Sequence, residues 1–142
     1  MSTKVVPLKE VNDATFANEI MGKGIAIRPT EGKVFSPVNG KVLTIFKTKH
    51  SIGMVDENGV EVLIHVGLDT AKLDGKHFVS HIKDNDDIKV GDLLLEFDLA
   101  AIEAEGFDSI VPIIITNSET FLDVLPTAKE QVEVQDSLLQ IV

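Results

Sequence analysis

His50 and His65 are the side chains of this sequence best suited to chemistry near neutral pH. A neutral imidazole nitrogen is a good nucleophile, and a second imidazole can donate a hydrogen bond to charge that develops during group transfer. His65 closes an apolar run, Val60-Glu61-Val62-Leu63-Ile64, and is followed by Val66-Gly67-Leu68-Asp69-Thr70. Thr48 stands two residues before His50, so a hydroxyl is at hand to fix the tautomer of one ring. Two adjacent imidazoles with a threonine could accept a phosphoryl group and pass it on, and an apolar surround would slow its loss to water. The same pair could hold zinc, but two ligands are too few for a closed site.

Whether the rings meet depends on how the chain turns between them. Asn58-Gly59, flanked by apolar runs, signals a two-residue hairpin of type I′. Glu57 then faces Val60, Ile52 faces His65 and His50 faces Gly67. Side chains alternate along a strand, so His50, Ile52 and His65 would share a face, with the histidines as diagonal neighbours roughly 7–8 Å apart. That face would carry Phe46, Thr48, His50, Ile52, Leu63 and His65. A plain three-residue loop would shift the register by one and part the histidines, and a bulge at Gly59 would restore them. Spacing alone leaves both arrangements open.

The elements that must hold these residues are short. A strand is expected over 5–12, then a helical turn over 14–20 with Asp13 as its N-cap, then a strand from Gly24 to Pro29. Residues 33–38 and 41–47 flank a second Asn-Gly, Asn39-Gly40, and read as a hairpin. Further strands are expected at 78–82, 86–89, 93–98, 110–116, 132–134 and 138–141. A short helix over 99–105 is stopped by Gly106, and 121–125 fits either state. Many short strands with frequent turn signals, and no long alternating helices, give an all-β fold: a compact antiparallel β-sandwich or barrel with short helical turns. No linker or low-complexity stretch divides residues 1–142, so a single domain is expected.

Composition narrows the function. The 142 residues are 44% hydrophobic and 25% charged, with a net charge of −10 that disfavours nucleic acid as a partner. Cysteine is absent, which excludes disulfides and thiolate metal sites. No apolar stretch reaches membrane-spanning length, since Ile110–Ile115 is short and holds Pro112, and the first residues lack the apolar core of a signal peptide. A cytoplasmic protein, not inserted in a membrane, is the simplest expectation.

The run Gly59–Thr70, followed by Leu73-Asp74-Gly75-Lys76-His77-Phe78, closely resembles the glucose-family IIA phosphocarrier domain of the bacterial phosphoenolpyruvate-dependent sugar phosphotransferase system. The resemblance continues through Gly22–Pro29, Ser36–Gly40, Thr48-Lys49-His50, Val90-Gly91-Asp92 and Leu94–Asp98, nearly the whole chain. It implies a carrier that accepts a phosphoryl group on His65 Nε2 from a small histidine phosphocarrier protein. The carrier then delivers the group to the IIB domain of a sugar permease. His50 would bind the phosphoryl oxygens, and Thr48 would support the pair by hydrogen bonding. Gly67 would permit close approach of the chain. Asp13 and Asp69 would contact basic partners, and Phe16, Met21, Phe46, Leu63 and Phe78 would form an apolar docking surface. Regulated transporters or enzymes are further partners that the resemblance implies. No cofactor is required, although zinc on His50 and His65 is compatible with the family when a partner adds a carboxylate. Lys72, in a rim that relatives often make acidic, and Thr15 and Met21 depart from the usual pattern and bear on partner preference.

Two rival readings share some of these features. A biotinyl or lipoyl carrier domain shares the phrases Pro37-Val38-Asn39-Gly40 and Val90-Gly91-Asp92-Leu93-Leu94, but its attachment tripeptides, Met-Lys-Met or Asp-Lys-Ala, are missing. A zinc hydrolase using His50 and His65 lacks an evident third ligand. His77 and His81 read as surface residues, and Glu61 reads as solvated rather than as a general base.

Overall fold

A computed structural model describes residues 3–18, 22–116, 124–126, 131–132 and 139–141. Thirteen strands are present among them. They are β1 (Thr3–Pro7), β2 (Lys23–Arg28), β3 (Lys33–Phe35), β4 (Gly40–Ile45), β5 (Ser51–Asp56), β6 (Glu61–His65) and β7 (Phe78–Ser80), followed by β8 (Asp87–Ile88), β9 (Leu93–Phe97), β10 (Val111–Ile115), β11 (Val124–Pro126), β12 (Gln131–Val132) and β13 (Leu139–Ile141). Among the described residues, helix is confined to α1 (Ala14–Ala17), α2 (Leu99–Ala104) and two 3-10 turns at Leu8–Glu10 and Thr70–Leu73. The all-β class expected from the turn signals is the class observed.

An eight-stranded sheet runs in the order β12-β1-β2-β10-β6-β5-β4-β8, and a three-stranded sheet runs β3-β9-β7. β11 pairs with β13, and every pairing is antiparallel. β10 reads Val-Pro-Ile-Ile-Ile and is buried at all five positions, as befits a central strand covered on both faces. One face, with Val111, Ile113, Ile52, Met54, Val62 and Ile64, packs against Val34, Leu95, Phe78 and Phe97 of the small sheet and Ile102 of α2. The opposite face forms a second core, in which Ala26, Leu63, Leu68, Ile110 and Ile114 are covered by Leu8, Val11 and Phe16 from the N-terminal turn and α1.

Three expectations change. The strand expected over 5–12 stops at Pro7, and Leu8–Glu10 turns to cover the second core. The Asn39-Gly40 hairpin does not form, because β3 pairs with β9 in the small sheet while β4 pairs with β5 and β8 in the large one. Gly40 has no positive φ; it is needed because a Cβ there would lie 1.9 Å from the Val55 carbonyl oxygen. The Asn39 side chain instead accepts from the Val90 N–H at 2.9 Å, where the chain passes from one sheet to the other. The third change is the β5–β6 register. Ser51 lies opposite His65 and Ile52 opposite Ile64, one residue away from the expected pairing. The loop holds three residues, with Gly59 at φ 83° and the Asp56 carboxylate accepting from the Asn58 and Val60 N–H groups at 2.8 and 2.9 Å.

α2 follows the sequence reading closely. The Asp98 carboxylate caps it by accepting from the Ala101 N–H at 3.0 Å, and Gly106 ends it at φ 90°. Residues 121–123 and 133–134 lie outside the described residues.

Candidate functional site

The shifted register ought to separate the histidines, because it places Ile52 with Ile64 on the main core face and His65 with Leu63 on the other. The rings nevertheless meet, with centroids 4.7 Å apart and planes at 79°. The turn before β5 brings them together. Lys49 adopts a left-handed conformation at φ 58°, and its N–H bonds the Phe46 carbonyl at 2.7 Å. His50 therefore sits just outside the ladder, where strand alternation does not bind its side chain, while its carbonyl still accepts from the Val66 N–H at 2.7 Å. Ile52, expected beside the histidines, belongs to the main core instead.

A bulge in β4 adds the aromatic wall. The β4–β5 register slips between Val42 and Thr44, so the Phe46 N–H reaches the Ser51 carbonyl at 3.1 Å. Ser51 is also opposite His65, which puts Phe46 on the site face. Phe46 stands edge-on to His50 at 5.7 Å, and Phe16 from α1 lies 5.1 Å from the His65 ring.

The far end of β6 fixes His65. Even-numbered residues of β10 turn their backbone toward β6, as the Thr116 N–H to Glu61 and Gly67 N–H to Ile110 carbonyl bonds show, both at 2.9 Å. Pro112 would meet His65 in that series but has no N–H to give, and the β10–β6 ladder stops at Ile64. The chain then turns at Gly67, φ 77°, where a Cβ would lie 2.5 Å from Thr70 Cγ2 and 3.0 Å from the Asp108 carbonyl oxygen. Glycine is required there by both backbone conformation and space. The Gly67 carbonyl folds back to accept from His65 Nδ1 at 2.7 Å.

That bond decides the tautomer. A carbonyl oxygen can only accept, so the neutral His65 ring carries its proton on Nδ1 and leaves Nε2 as a bare lone pair. His50 Nδ1 is bonded to the Thr48 hydroxyl. When that hydroxyl donates, the His50 proton lies on Nε2, the nitrogen available to an oxygen held on the neighbouring ring.

Burial favours the neutral form of both rings. His50 is 4% exposed, and desolvation, then the nearby His65, pulls its pKa down to about 4. His65 is half-buried and its pKa is also lowered, by desolvation first; the Gly67 carbonyl and the charges of Asp13 and Asp69 oppose this. The unfolded chain therefore binds more protons than the folded one between about pH 4 and the ordinary histidine value of 6.5. The contribution of His50 to stability is complete above about pH 6.5 and is lost as pH falls toward about 4. Ring 15N shifts of His50 should accordingly stay at their neutral values from pH 8 to below pH 5.5, where an exposed imidazole is about nine-tenths protonated. A midpoint near 6.5 would show the ring to be solvated.

Of the other residues singled out in the sequence, Asp13 is half-buried and Asp69 is exposed, and both act on His65 through charge. Asp69 adopts φ 61° at the start of the 3-10 turn, and Lys72 is exposed within it. Phe46 is 45% exposed, whereas Phe16 and Leu63, at 4% and 7%, belong to the second core beneath the site. Phe78 is not on a docking surface: it is 5% exposed and packs on Phe97 in the main core. Met21 lies outside the described residues, as does the Thr15 side chain. His77 bonds the Glu105 carboxylate and His81 bonds Glu96 at 2.7 Å, both away from the paired rings in the contacts they make. Glu61 is half-buried beside Thr116.

Two supporting residues escape a reading of the sequence. The buried Thr70 hydroxyl donates to the Val66 carbonyl and braces the turn after His65. Asp108 accepts from Arg28 at 3.1 Å and from the Ile110 N–H at 3.0 Å, and its carbonyl takes the Leu68 N–H at 2.9 Å. Arg28 and Asp108 are 80 residues apart, and no local pattern links them.

Residues 1–121 match the model of a protein family, the phosphoenolpyruvate-dependent sugar phosphotransferase system, EIIA 1. The chain belongs to this family. The chain is 44% identical over 140 residues to the glucose-specific EIIA component of Oceanobacillus iheyensis, covering 98% of this chain and 85% of that protein. It is 51% identical over 142 residues to the beta-glucoside-specific EIIBCA component of Dickeya chrysanthemi, covering all of this chain but 22% of that protein. The chain thus spans about a fifth of the beta-glucoside components it matches. Its fold is that of glucose permease IIA from Mycoplasma capricolum, with a TM-score of 0.87 at 34% identity, covering 97% of this chain and 89% of that one. The chain is therefore an EIIA 1 member of the phosphoenolpyruvate-dependent sugar phosphotransferase system, built as a glucose-family IIA β-sandwich. No helix among the described residues is long and apolar enough to cross a membrane.

A metal fits this site only in part. The pair offers two imidazole nitrogens, and no group of three or more His, Cys, Asp or Glu side chains is gathered among the described residues. The remaining ligands would have to come from outside the chain.

Proposed function

We propose that the chain is a phosphocarrier in which His65 Nε2 takes a phosphoryl group from the histidine phosphocarrier protein and passes it to the IIB domain of a sugar permease. The observation that carries this reading is the His65 Nδ1–H bond to the Gly67 carbonyl, which bares Nε2 beside a second imidazole. In the first half-reaction the Nε2 lone pair attacks phosphorus in line. The donor's P–N bond breaks as the new one forms, and the electron pair returns to the donor's ring nitrogen. Delivery repeats the exchange, with the nucleophile of the IIB domain attacking and His65 leaving. His50 donates from Nε2 to the phosphoryl oxygens, where charge gathers in the transition state, and Thr48 holds it in that tautomer. The apolar surround of Phe16, Phe46 and Leu63 limits access of water to the labile P–N bond.

The surface chemistry suits the proposed partners. Phe46 offers an exposed apolar contact, Asp69 an exposed carboxylate beside the site, and the whole chain carries a net charge of −10 for a basic partner face. Zinc on the histidine pair would need a carboxylate from such a partner, and no step of the transfer requires it.

The test is a cascade of phosphoenolpyruvate, enzyme I, the histidine phosphocarrier protein and this chain. One acid-labile, base-stable phosphoryl group per chain is expected, with 31P–1H couplings placing it on Nε2. An acid-stable phosphoester, or no label, would reject the carrier.

A further inference from the structure

Ser51 is 0% exposed, and its Oγ has no hydrogen-bond partner among the described residues. Buried hydroxyls are nearly always paired, so an orphan calls for a cause. Its position supplies one. Ser51 lies directly opposite His65. The Val66 N–H to His50 and Asp56 N–H to Val60 carbonyl bonds, at 2.7 and 2.9 Å, mark 50–66 and 56–60 as hydrogen-bonded pairs. Counting by twos makes Ser51–His65 a non-hydrogen-bonded pair, the kind in which Cα atoms approach to about 4.5 Å and the two side chains stand together on one face. The Nδ1 atoms of both nearby rings are already engaged, by the Gly67 carbonyl and the Thr48 hydroxyl.

We propose that the Ser51 hydroxyl is a donor held in reserve for the phosphorylated state, in which it bonds a phosphoryl oxygen on His65. This rests on the carrier reading of His65. Phosphorylation is the event that adds three strong acceptor oxygens to the side chain facing Ser51. A hydrogen bond made only after the group arrives stabilises the loaded form relative to the empty one. Ser51 would thereby set the transfer potential: how far the equilibrium with the donor favours loading, and how much driving force remains for delivery. It would be a phosphoryl-binding residue that acts beside His50, from the opposite strand neighbour of the reacting ring.

The experiment measures the equilibrium distribution of labelled phosphoryl between the histidine phosphocarrier protein and the wild-type, Ser51→Ala or Ser51→Cys chain. A hydrogen bond to a charged oxygen predicts that the constant for loading falls about tenfold in Ser51→Ala. The melting temperature of the empty Ser51→Ala chain should be unchanged or higher, because an orphaned polar group has been removed. Ser51→Cys nearly keeps the volume but is a weak donor, and should behave like alanine. A constant for Ser51→Ala within about twofold of wild type overturns the inference, since that is less than any charged hydrogen bond contributes. A cysteine variant that loads as serine does assigns the effect to packing and overturns it as well. If the wild-type chain takes no label at all, the carrier reading fails and the inference goes with it.

Discussion

Replacing His65 by alanine is expected to abolish phosphoryl uptake completely while leaving the chain folded. The other three histidines offer no substitute. His50 is 4% exposed behind His65, and the Nε2 atoms of His77 and His81 are held by Glu105 and Glu96. The lost ring is half-buried at the rim of the second core and gives up one hydrogen bond to Gly67 and its contacts with the Phe16 and His50 rings. Removing such a group costs about 1–3 kcal/mol, a shift of several degrees in melting temperature rather than unfolding. The check is label incorporated per chain alongside a thermal melt. Label retained by a folded His65→Ala chain would move the nucleophile to another residue.

The second large effect belongs to His50→Gln. The substitution leaves the His65 Nδ1 bond to the Gly67 carbonyl, and so the bare Nε2, in place, and the variant should still load. Loading is drawn to completion by a donor that phosphoenolpyruvate continually renews, even if the step itself is slowed. A preloaded chain mixed once with the IIB domain is not renewed in this way, so its rate of delivery is read directly. A donor aimed at developing charge in a desolvated site is worth about 10²–10³ in rate, so transfer to the IIB domain should slow by about that factor. Glutamine also loses the bond that the His50 ring makes to the Thr48 hydroxyl. Single-turnover transfer from preloaded chain to IIB measures it. Delivery at the wild-type rate would leave His50 with only a packing role.

The partnership of the histidines was legible from the sequence, but not by the route that strand geometry offered. β6 carries Val62 and Ile64 into one core and Leu63 into the other, so its residues read as one continuous apolar run with no visible period. Nothing in such a run marks its register, and the observed pairing differs by one residue from that expected of a two-residue Asn58-Gly59 turn. The motif around His65 couples it to His50 by resemblance alone; in the structure the turns at Lys49 and Gly67, where alternation fails, bring the two rings together. Asn39-Gly40 gave the opposite lesson. The same dipeptide that signals a hairpin serves there as a side-chain acceptor for Val90 and a point of close backbone approach to Val55. Local patterns located the strands and the cap of α2; pairings such as β3 with β9 rest on contacts some sixty residues apart, which those patterns do not encode.

The loop at Glu57-Asn58-Gly59 is exposed, and nothing lies within 4 Å of a Cβ built on Gly59. It closes the β5–β6 ladder at the end remote from His65, five rungs away, or about 17 Å along the strands. A fluorophore or affinity handle attached through Asn58→Cys, in a chain with no native thiol to compete, would report docking and release without obstructing the reacting rings.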